Sequence, residues 1–142
     1  MADELVAVAD DLAKKLLECQ VASVTSLIKA GQILREYQSQ LPHGDMTAIY
    51  NSGRLPLGQR YGQMLSAIAA NRALCDPVVI RNVPHAITAL AVLSPVHPSV
   101  IEIGVAERTL HRGLTRQGVV AAVRKLRTQA LHTSQPSAAR LL

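Results

Sequence analysis

The sequence predicts an all-α fold: a long N-terminal helix, then a helix-turn-helix-like unit, then a C-terminal helical group. Three observations predict it. Residues of the AVILMFWYC class make up 49% of the chain, yet it has no Phe, no Trp and only three Tyr, so the core must be aliphatic. Apolar positions recur at three- and four-residue steps over long stretches, while strand-like alternation is scarce. Pro and Gly fall in clusters that cut the chain into helical lengths.

Residues 1–40 form the first block, a helical pattern without Pro from Asp3 to about Gln40. Leu5, Leu12, Leu16, Leu17, Val21, Val24, Leu27, Ile28, Leu34 and Tyr37 carry its period. Asp3, Glu4, Asp10 and Asp11 crowd its start, where the helix dipole favours anions. An unbroken helix of this length would span ~55 Å. It either breaks near Ala22–Ser23 or extends as an arm that pairs with a second copy in a homodimer. Its apolar spacing drifts between registers, which does not suit a strict coiled coil.

Residues 41–75 form the second block. Leu41-Pro42-His43-Gly44 stops the first helix, and Asp45 is placed to cap a short helix through Tyr50. Asn51-Ser52-Gly53 marks a turn, and Pro56 suits the first turn of a helix running to about Leu74. On that helix Leu57, Tyr61, Met64, Leu65 and Ile68 make an apolar face. Gly58, Gly62, Ser66 and Ala69 or Ala70 make a face of small residues, which suggests close approach of another backbone. Gln59, Arg60 and Gln63 project on the remaining side, with Arg54 before the helix and Arg72 at its end. Arg can pair with guanine or phosphate and Gln with adenine, so this face is a candidate DNA reader; the bland reading is a solvated polar face. Tyr37, Tyr50 and Tyr61 are expected to pin these helices together.

Residues 76–131 form the third block. Asp76-Pro77 ends a helix, Val78-Val79-Ile80 is a buried linker or a helix start, and Pro84 opens a helix through Leu93. Ser94-Pro95-Val96-His97-Pro98 is a rigid connector. From Ser99, Val100, Ile103, Ala106 and Leu110 repeat helically, with Gly113 expected as the stop. Thr115 is placed to cap the last helix, Arg116 to about Leu131, whose core arc holds Val119, Ala122, Val123, Leu126 and Ala130. Around the other arc lie Arg116, Gln117, Arg124, Lys125 and Arg127. Arg108 and Arg112 just upstream complete a basic cluster of six. Residues 132–142 read as a flexible tail.

Charge is placed unevenly. Residues 1–50 hold four Lys or Arg against seven Asp or Glu, and residues 51–142 hold eleven against three. A basic C-terminal two-thirds suggests a polyanionic partner, of which nucleic acid is the commonest. Cys19 and Cys75 read as small buried apolar residues in a reducing compartment. The five His show no metal-ligand spacing, and no acid, base and nucleophile are grouped, so neither a metal, a cofactor nor catalysis is expected. No apolar run approaches the ~18 residues of a membrane span, and a cytoplasmic protein is expected.

Three segments bear a family resemblance: Ala30-Gly31, Leu41-Pro42-His43-Gly44-Asp45 and Gly58-Gln59-Arg60-Tyr61. In that order they resemble the bacterial and phage family known as domain of unknown function 3102. The resemblance covers residues 20–75, and residues 83–127 more loosely. The chain departs from the pattern at Arg54-Leu55-Pro56, where the family usually has Ser or Thr, and at Gly58, where it has Ala. The resemblance implies a phage, plasmid or integrative-element protein. With the charge pattern, it leads to the expectation of a non-enzymatic, regulatory protein that binds double-stranded DNA. The competing expectation is a protein-binding inhibitor or adaptor acting on a host or phage protein.

Overall fold

The computed structural model describes residues 2–19 and 23–132, except for the side chains of residues 131 and 132. Among the described residues the chain is all-helical: α1 (Asp3–Glu18), α2 (Val24–Gln40), α3 (Asp45–Asn51), α4 (Gln59–Ala70), α5 (Pro77–Arg81), α6 (Ile87–Leu93), α7 (Pro98–Ala106) and α8 (Arg116–His132). There is no strand among them. The chain divides into two compact units, Met1–Ala70 and Asn71–Leu142. The boundary therefore joins the expected N-terminal block to most of the expected helix-turn-helix block. The expected tail, beyond His132, lies outside the described residues.

The first block is two helices and not one. Ser23 starts α2 as an N-cap, its hydroxyl accepting from the Ser26 amide at 3.2 Å. In a straight helix Asp11 and Tyr37 would lie about 39 Å apart. Here the Tyr37 hydroxyl donates to the Asp11 carboxylate, so the chain has doubled back. The reason is apolar burial: α1 presents a narrow stripe of Ala9, Leu12 and Leu16, and α2 presents Ile28, Ala30, Leu34 and Tyr37. Each stripe covers part of the other's exposure, which an extended arm would leave open to water. Leu17 falls off the stripe and is 51% exposed.

The most extensive packing in this unit is α2 against α4. It is close because Gly31 lies against the α4 backbone: a Cβ there would collide with the Leu65 carbonyl and reach within 2.9 Å of the Ala69 Cβ. α3 begins at Gly44, whose φ of 89° is left-handed backbone that Gly enters without steric cost. Asp45 is thus the first helical residue and not the cap. α4 begins at Gln59, three residues later than Pro56 suggests, because Leu55 is buried and holds the connecting loop down. The first i to i−4 bond runs from the Gly62 amide to the Gly58 carbonyl. The buried face of α4 is Gly62, Leu65 and Ile68, while Tyr61 is 37% exposed. The Tyr50 ring occupies the space beside Gly62 that a side chain would need.

In the second unit α8 is the central helix and packs on α6 and α7. Val119, Ala122, Val123 and Leu126 are its buried arc, while Ala130, the fifth expected member, is only half-buried. Thr115 caps it, with Oγ1 accepting from the Gly118 amide at 3.0 Å. Val78–Ile80 starts a helix: Asp76 accepts from the Val78 amide at 2.8 Å and Pro77 takes the first helical position. α6 begins at Ile87 and not at Pro84.

α7 ends well before Gly113. Arg108 adopts φ 61°, its amide bonds to the Val105 carbonyl, and the Leu110 amide returns to the Gly104 carbonyl. This is a left-handed helix stop with Arg where Gly is usual. It is stabilised by Leu110, which is buried against Gly104. No single described helix is long and apolar enough to cross a membrane; α6 and α7 meet that test only as a pair, bent by 116°.

Candidate nucleic-acid interface

The structure sorts the candidate residues by unit. In the first unit the cationic candidates are Arg54 and Arg60. Arg54 sits in the α3–α4 loop, and its guanidinium is 3.0 and 3.3 Å from the two carboxylate oxygens of Asp10 on α1. Its charge is met within the unit. Arg60 is exposed on α4. Overall this unit carries six Lys or Arg against seven Asp or Glu.

Gln59 and Gln63 flank Arg60 in the first turn and a half of α4. They line one wall of a concavity of about 210 Å³. The opposite walls come from α2, through Gln38, and from α3, through Thr47 and Tyr50. Burial pushes the Tyr50 hydroxyl above the ordinary tyrosine range. A second concavity of about 380 Å³ shares Gln38, Met46 and Thr47 and runs along the Leu41–Gly44 turn. Neither concavity is lined by Lys, Arg, Asp or Glu.

Elsewhere in this unit, Asp11, Lys15 and Tyr37 form a small titratable group. Lys15 Nζ is 3.7 Å from Asp11 and 5.0 Å from the Tyr37 ring centroid. The hydrogen bond from Tyr37, with Lys15 nearby, holds the Asp11 carboxyl below the usual range. Burial, then the bond to Asp11, raises Tyr37. The group rests on the α1–α2 packing.

The second unit holds the basic candidates: nine Lys or Arg against three Asp or Glu. No acidic residue occurs anywhere from Arg108 to the end of the chain. Arg72, Arg108, Arg112, Arg116, Arg124, Lys125 and Arg127 are all exposed. Among the described residues none of them is ion-paired with a carboxylate. Arg116, Arg124 and Arg127 fall within one arc of about 80° on α8, at 100° per residue, and Lys125 lies about 100° beyond it. Arg112 is held from the side: its Nη2 is 3.3 Å from His85 Nδ1. His85 Nε2 lies 2.7 Å from the Ile80 carbonyl, so Nε2 donates there and Nδ1 is left to accept from Arg112.

Sequence reasoning passed over Gln38, Thr47 and His85. The concavity walls come from three helices, and His85 gains its role through carbonyl and guanidinium partners distant in the chain. The remaining described histidines include two local caps: His97 Nδ1 accepts from the Ser99 amide and His111 Nδ1 from the Gly113 amide. Among the described residues no group of three or more His, Cys, Asp or Glu is placed to hold a metal ion. No family model, curated protein or solved structure matches the chain.

Proposed function

We propose that this is a non-enzymatic protein that binds double-stranded DNA, with its phosphate contacts on α8 and the α7–α8 connection. The observation that carries the reading is the acid-free stretch from Arg108 onward, whose exposed cations are not ion-paired with a carboxylate among the described residues. Binding neutralises phosphates and releases counterions, so affinity should fall steeply with salt. With about five phosphate contacts, affinity for a mixed duplex should drop roughly 10²–10³-fold between 50 and 200 mM salt. Arg124→Ala and Arg127→Ala should each reduce the salt slope by about 1, equally for all sequences. Absence of duplex binding at 50 mM salt would sink the reading.

Base reading by α4 rests on Arg60, the exposed cation of that helix. Arg60→Ala should weaken binding selectively for a preferred sequence; an equal loss on every sequence means that α4 reads no bases. A regulatory role in a phage, plasmid or integrative element follows the resemblance to domain of unknown function 3102. Homodimerisation, if it occurs, uses a face other than a free N-terminal arm, because α1 is folded on α2. Light scattering at micromolar concentration tests it.

The second reading, a module that binds a host or phage protein, is favoured by a different observation. The concavity lined by Gln59 and Gln63 has no charged wall.

A further inference from the structure

We propose that His85 is a proton-linked member of the phosphate surface: charged, it joins Arg112 in holding one backbone phosphate of the duplex. It rests on the DNA reading above and adds a residue to the same surface. His85 stands half-buried in the α5–α6 connection, and its two ring nitrogens meet different surroundings. Nε2 is 2.7 Å from the Ile80 carbonyl on the part-buried side, and Nδ1 is 3.3 Å from Nη2 of Arg112 on the exposed side. A carbonyl only accepts, so Nε2 keeps its proton in either charge state of the ring. The lone pair of Nδ1 is therefore where a further proton goes, at the surface and beside a candidate phosphate contact.

The two charge states have opposite consequences for Arg112. In the neutral ring, Nδ1 accepts from the guanidinium and engages one of its donors. In the charged ring, Nδ1 becomes a donor, that bond is lost, and an imidazolium faces a guanidinium. A phosphate oxygen accepts from both, so the anion relieves the repulsion that the proton creates. Proton and phosphate thus favour each other's binding, reciprocally. Imidazole is the side chain that changes charge near neutral pH, which puts the linkage in the range where proteins work.

The neighbouring charges leave this coupling to the ligand. Among the described residues no carboxylate forms an ion pair with His85 or Arg112. Asp76 is occupied in capping α5 through the Val78 amide, and Glu102 and Glu107 are exposed on α7 and at its end. Arg81, at the end of α5, turns Nε to the Pro77 carbonyl at 3.1 Å. α6 carries no ionisable side chain. His97 and His111 each engage Nδ1 with a backbone amide, so neither offers that nitrogen to a cation.

The test follows the ring nitrogens of His85 by NMR in the full chain, from about pH 8 to about pH 5. The chain is titrated alone, with a mixed duplex, and with inorganic phosphate at the same phosphate concentration. The duplex should move the His85 titration toward higher pH, and inorganic phosphate should move it less. Duplex affinity should rise about three- to tenfold from the alkaline to the acid end, since a phosphate beside an exposed imidazolium raises its proton affinity by about tenfold. The salt slope should steepen by about 1 over the same range. His85→Gln cannot take up the proton and should lose most of both gains. The ring titration is read on the parent chain, so it stands even if that variant fails to fold. Duplex binding that leaves the His85 titration unmoved overturns this proposal and leaves the DNA reading standing. Absence of duplex binding at 50 mM salt at both ends of the range overturns both. A movement with inorganic phosphate as large as with the duplex overturns the assignment to a DNA phosphate.

Discussion

Asn71 is the polar residue that the described structure buries, at 5% exposure, and its side chain is fully employed. Nδ2 donates to the Val96 carbonyl at 2.8 Å and the Ser94 carbonyl at 3.1 Å, with Leu93 at 3.4 Å, while Oδ1 accepts from the Ala73 amide. It therefore clamps the α6–α7 connector to the start of the second unit. Truncation leaves buried carbonyls without a donor, at a cost of about 1–3 kcal/mol. Asn71→Ala should lower the urea midpoint accordingly, and Asn71→Asp should cost at least as much, because it sets a carboxylate against carbonyls. Gly31 supplies a steric counterpart in the first unit. Gly31→Ala should cost about 1–3 kcal/mol, since the obstruction is the α4 backbone and cannot rotate away. Gly58→Ala, with open space around the new methyl, should be neutral or stabilising by up to about 1 kcal/mol. Equal urea midpoints for the two variants would contradict the close α2–α4 approach.

At the scale of elements, α8 and the end of α7 show what the sequence discloses and what it hides. The core arc of α8 was readable because its stripe, its Thr115 cap and its polar side all repeat the 3.6-residue period. The end of α7 was not, because the signal is a backbone conformation adopted by Arg108 in place of Gly. Gly113, the expected stop, plays no such part; the closing force is Leu110 tucking against Gly104, a tertiary contact. The same holds for α4, where apolarity nominated Tyr61 but a tight approach buried Gly62. It holds again for the concavity beside α4, whose walls lie on three helices and share no local spacing. Asn71 is likewise invisible locally, since three of its partners lie 22–25 residues away. The break between α1 and α2 was half-legible: the ~55 Å length of an unbroken helix made it one of two alternatives, but the doubling back depends on contacts such as Tyr37 with Asp11. The Arg108 conformation carries a consequence that ties stability to function. A non-Gly residue in left-handed backbone is strained by about 1 kcal/mol. Arg108→Gly should therefore raise stability by up to about 1 kcal/mol while reducing the salt slope of duplex binding by about 1. A stabilised variant with unchanged DNA affinity would remove Arg108 from the phosphate surface but leave its role as a helix stop.

For the whole molecule, charge and titration fall on different units. The second unit carries the excess of cations, so ionic strength should act chiefly on what that unit binds. The first unit holds the groups whose proton affinities the fold shifts: Asp11, Lys15, Tyr37 and Tyr50. Asp11 is lowered by its bond from Tyr37, so its contribution is present above the ordinary carboxylate value and is lost as pH falls through the lowered one. Tyr50 is raised by burial, so its neutral form is favoured in the folded state. Its contribution is intact below about 10 and is lost as pH rises through the raised value. Tyr37 and Lys15 act in the same alkaline direction. Urea midpoints of the first unit, followed through amide signals of α2 and α4, should thus decline on both the acid and the alkaline side. Tyr50→Phe removes a phenol that must otherwise ionise while half-buried beside Gly62. It should flatten the alkaline decline and leave the acid one in place, whereas Asp11→Asn should flatten the acid decline. An alkaline profile identical in Tyr50→Phe and the parent chain would show that Tyr50 does not couple proton release to the packing of α3 on α4.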